Sequence, residues 1–265
     1  MKHSEVDKLN RNHYKKTLTF NLNGADLGEN EYKTDRVASG IEGLDELIEG
    51  GFERNSVILI CGDAGTGKTT FALQFLYNGI VKYNEPGIFI TFEESKDSLY
   101  RHVSNYGWNF EDLEKENKFA IVEYRPHQIA ELLREGGGAI RDVIESIKAK
   151  RIVVDSLTSY SMLFKTPYES REAILTLFNM LRSWKCTSMV ISEVTANFDR
   201  RDNIGIEFLT DAALLLYYSR QGGTKVRALE ILKMRGTKHI DKICPIRFDR
   251  EGIIVFPKES VFGEI

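Results

Sequence analysis

The run Ser56-Val57-Ile58-Leu59-Ile60-Cys61-Gly62-Asp63-Ala64-Gly65-Thr66-Gly67-Lys68-Thr69-Thr70 decides how the rest of the chain is read. Ser56 to Ile60 has the β-branched, apolar character of a short buried strand. Gly62 to Thr69 then fits the pattern G-x-x-x-x-G-K-[ST], and Thr70 to Val81 has helical spacing. The context matters as much as the letters. Glycines let the backbone curl so that successive N–H groups face a phosphate, and the helix that follows turns its positive end to the same anion. In that arrangement Lys68 reaches the β and γ phosphates and Thr69 offers a hydroxyl to Mg²⁺. Gly62, Asp63, Ala64, Gly65, Thr66, Gly67, Lys68, Thr69 and Thr70 are therefore the candidate ATP-binding residues.

Working outward, residues 87–92, 119–122, 151–155 and 188–192 are further short apolar runs with little alternation. Strands covered on both faces have this composition, so the runs predict a parallel sheet with helices on each side. Thr166, Pro167 and Glu169 form an N-cap, an N1 proline and a capping-box acid, and predict a helix to about Trp184. Residues 128–149 have helical spacing interrupted by Gly136, Gly137 and Gly138, which predict a turn between two helices. After Asp211 the pattern changes to adjacent strands with tight connections, including a turn over 220–224, so the sheet is expected to end in an antiparallel section. The expected organisation is a polar N-terminal extension over 1–33, one α/β domain over 34–258 and a tail over 259–265.

The 265-residue composition, 42% hydrophobic and 28% charged, suits a globular chain rather than a disordered one. A formal charge of -3 argues against a polybasic nucleic-acid binder. The longest apolar run, Ala212 to Tyr218, is too short for a membrane helix, and the N-terminus has no apolar segment of the secretory kind. Cys61, Cys186 and Cys244 are odd in number and lack metal-ligand spacing, which fits a reduced, cytoplasmic chain.

Asp155 ends an apolar strand whose tip should lie near the phosphate loop, so it is the candidate acid for Mg²⁺ beside Thr69. Hydrolysis also needs a group that orients or deprotonates water. Glu93 and Glu94 follow the 87–92 strand, and Glu93 is the favoured base with Glu94 as helper; acids there also suit the dipole of a helix starting at Ser95. Lys233 and Arg235 are two apart, hence on one face of a strand, with no evident partner nearby in sequence. Their plain reading is a charged edge strand. His102 and His127 lack companions at metal-ligand spacing and read as ordinary surface or structural residues.

These residues carry a resemblance. Residues 34–47 before Gly50-Gly51, the phosphate loop, Thr91-Phe92-Glu93-Glu94, Tyr106-Gly107-Trp108, Val153-Val154-Asp155-Ser156 and Lys233-Met234-Arg235-Gly236-Thr237-Lys238-His239 resemble the KaiC family of RecA-like ATPases, in order over 34–258. The single domain is similar to single-domain KaiC-like and RadA-paralogue proteins. The resemblance implies a RecA-like P-loop NTPase fold, and Mg²⁺-ATP bound between neighbours in a ring, usually a hexamer. It also implies that Glu93 and Glu94 are the catalytic pair and that Glu193 is sensor-like. By the same resemblance Lys233 and Arg235 reach the neighbour's γ-phosphate, with Met234, Thr237, His239, Asp249 and Arg250 near that nucleotide. Asn105 stands where the family has a nucleotide-contacting serine. Glu207 and Phe208 stand where the clock protein's phosphorylated domain has Ser and Thr, which implies an ATPase and not an autokinase. Two roles follow: a regulatory ring that signals to a protein partner, or a single-stranded-DNA-binding ATPase of the RadA-paralogue kind. The loop Thr195 to Ile206, with Phe198, Arg200 and Arg201 offset by Asp199 and Asp202, favours neither.

Overall fold

The computed structural model describes residues 35–125, 127–128, 131, 135–194, 196, 205–221 and 223–261. The extension expected over 1–33 and most of the 195–206 loop lie outside the described residues.

The chain enters through a small antiparallel pair, β1 (Arg36–Val37) and β2 (Phe52–Glu53). Then come β3 (Val57–Gly62), α1 (Lys68–Tyr83), β4 (Gly87–Thr91), α2 (Lys96–Ser104), α3 (Phe110–Lys115), β5 (Phe119–Glu123), α4 (Gly138–Ile147) and β6 (Arg151–Asp155). They are followed by α5 (Leu157–Ser161), α6 (Pro167–Ser183), β7 (Thr187–Glu193), β8 (Ala212–Gln221), β9 (Thr224–Met234), β10 (Cys244–Phe248) and β11 (Ile253–Val255). Among the described residues the main sheet has nine strands in the order β11-β10-β9-β8-β3-β7-β6-β4-β5. From β8 to β5 every pairing is parallel, and from β8 to β11 every pairing is antiparallel.

The side-chain alternation of each strand feeds two cores. Ile58, Ile60, Phe89, Val153, Met189 and Ile191 face α1 and α2, where Phe71, Phe75, Leu76 and Leu99 meet them. Leu59, Cys61, Ile88, Ile90, Ile152 and Val190 face the other helices, against Ile144, Leu157, Leu177 and Phe178. α6 starts as its sequence dictates: Thr166 and Glu169 form the reciprocal cap and Pro167 is the first helical residue. The glycine turn is shorter than expected, because Gly138 already belongs to α4 while Gly136 and Gly137 have positive φ. The 220–224 turn is shorter too, since both strands run deeper into it. β1, β2 and β10 were not legible, being either two residues long or interrupted by Pro245.

One buried ion locks β6 to α1. Arg151 is fully buried. Its guanidinium meets Glu85 at 2.6 Å, donates to the carbonyls of Phe75 at 2.8 Å and Ala38 at 2.9 Å, and lies 4.4 Å over the Phe75 ring. Removing one partner of such a pair strands the other charge. Arg151→Met is expected to lower stability by about 3–5 kcal/mol, read as a fall in the urea midpoint with unchanged slope. A loss under about 1 kcal/mol would mean that Glu85, which also meets Arg54 at 3.2 Å, is satisfied without Arg151.

Candidate active site

The C-terminal tips of β3, β4, β6 and β7 meet on one edge of the sheet, and the candidate residues are gathered there. β3 ends at Gly62, after which the loop turns through Gly65 and Gly67, with φ of 75° and 101°, into α1. At Gly67 a Cβ would lie 2.2 Å from the Phe248 ring, so only glycine permits that approach. Asp63 organises the turn, accepting from Ala64 N–H at 2.7 Å, while Thr66 Oγ1 donates to the Asp63 carbonyl at 2.9 Å. Lys68 is buried and curls over its own loop, donating to the carbonyls of Gly62 at 2.9 Å and Asp63 at 3.0 Å. Burial lowers the pKa of its ammonium, against the opposing fields of Glu193 and Asp155.

Thr69, in the first turn of α1, donates its hydroxyl to Asp155 Oδ2 at 2.8 Å. Burial pushes the Asp155 carboxyl up to about 6; Glu93 and Glu94 push the same way, and the Thr69 bond and Lys68 oppose them. A hydroxyl and a carboxylate side by side are hard oxygen donors of the kind Mg²⁺ takes. The crowding of Asp155 by two further acids is a negative field that a cation would relieve. Among the described residues no cluster of three or more His, Cys, Asp or Glu is arranged to hold a metal by itself. The fit is therefore to Mg²⁺ completed by phosphate oxygens and water.

Thr91 shapes the turn that carries both glutamates, its Oγ1 accepting from Glu93 N–H at 3.3 Å and Glu94 N–H at 3.0 Å. Their carboxylates diverge. Glu93 accepts from Ser156 Oγ at 3.0 Å and from Ser159 Oγ, which turns it toward Asp155 and the start of α5. Glu94 accepts from Ser98 Oγ at 3.3 Å and lies 3.3 Å from His102 Nδ1, which turns it toward α2. His102, which the sequence marks only as a surface or structural residue, is thus a neighbour of the acid pair. Glu193 ends β7 on the same edge, its N–H bonded to Thr158 Oγ1 at 2.8 Å.

The remaining candidates lie elsewhere. Arg235 N–H bonds the Asp211 carbonyl, and Asp211 N–H bonds the Val57 carbonyl at the start of β3. The five residue steps from Val57 to Gly62 separate this edge from the phosphate loop by about 16 Å. The sequence showed no partner for the two cations, yet they have several: Lys233 Nζ donates to the carbonyls of Glu207 and Thr210, and Arg235 to that of Phe208. β9 ends at Met234, which is buried, so Arg235 lies just beyond the strand. Thr237 accepts from Arg36 at 3.0 Å and His239 lies 3.4 Å from Asp241, both on this far edge, where Ile240 N–H bonds the Leu47 carbonyl. Asp249 and Arg250 are not with them. They follow Phe248, the ring against Gly67, and Asp249 lines a cavity along α1 with Gln74, Tyr106 and Trp108. Asn105 immediately precedes Tyr106.

One cation was missed. Arg227 on β9 lies 4.0 Å over the Tyr218 ring and 4.9 Å over the Phe248 ring, beside the phosphate loop. Its Nε is buried without a hydrogen-bond partner among the described residues. The signal was present, because Arg227 shares the core-facing row of β9 with Leu229 and Ile231.

Comparison with known proteins identifies the family. The family model described as "ATPase: KaiC" matches residues 37–260. A UPF0273 protein of Thermotoga maritima is 33% identical over 86% of this chain and 98% of its own length. The circadian clock oscillator protein KaiC of Parasynechococcus marenigrum is 32% identical over 87% of this chain and 46% of its own, so the chain spans about half of that relative. The crystal structure of a KaiC-like protein from Pyrococcus horikoshii superposes with a TM-score of 0.75 at 38% identity, covering 84% of this chain and all of that one. With a family match over most of the domain and the phosphate loop, Asp155 and the glutamate pair on one sheet edge, this chain belongs to the KaiC family of ATPases.

Proposed function

We propose that the protein hydrolyses ATP with Mg²⁺ at sites shared between adjacent subunits of a homo-oligomeric ring, a hexamer, and that the nucleotide state of the ring is signalled to a protein partner. The observation that carries this reading is the placement of the phosphate loop and the Lys233/Arg235 pair on opposite sheet edges. Neither cation can serve the loop of its own chain across about 16 Å. A head-to-tail contact brings the far edge of one subunit to the loop of the next, and repeated contacts of that kind close into rings.

In this reading the residues of 34–258 work as one ATPase domain. Lys68 leaves its two carbonyls for the β and γ phosphates, while the N–H groups of Gly65 to Thr70 cradle them. Thr69 and Asp155 would hold Mg²⁺, which when bound would supply positive charge against the negative charge of the transferred phosphoryl group. Glu93 is the general base: Ser156 and Ser159 fix the carboxylate and keep it aimed along the α5 start, where it orients water. Glu94 assists from the α2 side and Glu193 senses Lys68. Arg227 adds a second cation beside the loop, and Asp249 and Arg250 stand close to the nucleotide of their own subunit. Thr210, the hydroxyl nearest to Glu207 and Phe208 in sequence, is fully buried and bonded to the Glu207 carbonyl, which supports an ATPase and not an autokinase.

The relatives compared include the circadian clock oscillator protein KaiC and a KaiC-like protein of solved structure, which favours the regulatory role over a recombination role. The loop that would have to carry single-stranded DNA lies mostly outside the described residues. Among the described residues no helix is long and apolar enough to cross a membrane, and we place the protein in the cytoplasm.

Lys68→Ala is expected to abolish ATPase activity and weaken nucleotide affinity by at least tenfold, about 1.4 kcal/mol; wild-type affinity by calorimetry would refute the phosphate-loop assignment. Glu93→Gln should bind ATP normally and lose about 10²-fold or more in single-turnover rate, with Glu94→Gln milder. The reverse ranking would make Glu94 the base.

Asp155 gives a pH signature. Burial pushes its carboxyl up to about 6 in the folded chain against an ordinary 3.8. A raised value favours the folded state at low pH, and that contribution fades as pH rises to about 6. Without nucleotide, Asp155→Asn should therefore gain stability relative to wild type as pH goes from about 4 to 7, by thermal unfolding. With Mg²⁺-ATP the ranking should invert at pH 7, since only the wild-type carboxylate binds the metal. A mutant difference that does not vary with pH would show that Asp155 is not held in an unfavourable field.

A further inference from the structure

The two far-edge cations are held by a short segment of their own chain. Lys233 Nζ lies 2.8 Å from the Glu207 carbonyl oxygen and 2.6 Å from that of Thr210. The Arg235 guanidinium lies 3.0 Å from the Phe208 carbonyl and 3.5 Å from Asp211 Oδ1. The segment makes one 3₁₀ turn over Glu207–Leu209, with Leu209 N–H bonded to the Ile206 carbonyl at 2.9 Å and Thr210 N–H to that of Glu207 at 3.3 Å. Three carbonyls of a single turn thus point at two cations. Glu207 Oε2 is buried without a hydrogen-bond partner among the described residues, and Phe208 is 64% exposed at the crown of the turn. At its end Asp211 receives Arg182 at 3.1 Å and Val57 N–H at 2.9 Å, so the segment is tied to the first residue of the strand that carries the phosphate loop.

Carbonyl oxygens are neutral acceptors, whereas a terminal phosphate is an anion, and a bond between two ions is the stronger. A phosphate brought to this edge by a neighbouring subunit competes directly with the turn for Lys233 and Arg235. We infer that Glu207–Asp211 is a nucleotide-responsive segment: it positions Lys233 and Arg235 until the neighbour presents a terminal phosphate, and it is released when they transfer to that phosphate. This rests on the shared-site reading above. By linkage, whatever holds the segment closed weakens the neighbour's grip on ATP by the same factor.

Hydrogen exchange at the amides of Leu209 and Thr210 tests it, in rings verified by native mass spectrometry and with ligand binding verified by calorimetry. Wild-type rings should exchange these amides several-fold faster with a non-hydrolysable ATP analogue than with ADP. Lys233→Met should exchange fast in both and lose the response, and Lys68→Ala rings, whose cations are intact but whose loops lack the phosphate lysine, should stay slow in both. That last ring, which binds the analogue only weakly, is the control in which no terminal phosphate reaches the cations. If the analogue binds intact wild-type rings and the two amides exchange equally with ADP, the inference is wrong and the ATPase reading stands. If the analogue does not bind or the protein is monomeric, the shared-site reading falls and the inference falls with it.

Discussion

A parallel sheet has two unlike edges, and everything in this structure is arranged by that constraint. Parallel strands put all their C-terminal ends on one side, where loop N–H groups and helix N-termini converge, so an anion site built from backbone forms on that edge. β3 delivers the phosphate loop, β6 Asp155, β4 the glutamate pair and β7 Glu193 to that edge. The antiparallel β9 runs the opposite way and delivers Lys233 and Arg235 to the far one. On the function proposed above, such a chain carries both halves of a catalytic site but holds them apart, and assembly would join them.

The near edge concentrates charge that the fold alone does not balance. Lys68 is buried against carbonyls, Asp155 is pushed toward neutrality, and Glu93 and Glu94 add to its field. The hydroxyls of Ser156, Ser159, Ser98 and Thr69 hold these carboxylates in place. Such an arrangement costs stability in the free protein, and on the proposed function a divalent cation and a polyphosphate would relieve it. The rigid frame behind it is supplied by two apolar cores and by the buried Arg151, which ties β6, and through it Asp155, to α1, which begins with Lys68 and Thr69.

The parallel sheet was legible because both of its faces are covered, so that β3, β4, β6 and β7 are unbroken apolar runs, and the phosphate loop was legible because its geometry restricts which residues can stand there. α6 was legible down to its capping box. What could not be read were features set by distant partners. Nothing local to Lys233 or Arg235 indicates that their acceptors are carbonyls more than twenty positions upstream. The split of the far-edge candidates from Asp249 and Arg250 follows from β10 returning antiparallel along β9, a strand that Pro245 and Arg247 concealed. Arg227 was readable in principle, as a charge in an apolar row, once the parity of β9 is taken seriously.

The central claim is that each site is made by two chains, and subunit mixing tests it most directly. Lys68→Ala lacks a working phosphate loop and keeps its far-edge cations, whereas Lys233→Ala/Arg235→Ala keeps the loop and lacks the cations. Each should be inactive as a pure ring. After the two are dissociated and reassembled at equal amounts, about a quarter of the interfaces pair an intact loop with intact cations, and ATPase activity of that order should return. Mixed rings confirmed by native mass spectrometry that recover no activity would contradict the shared site and return Lys233 and Arg235 to the role of a charged sheet edge.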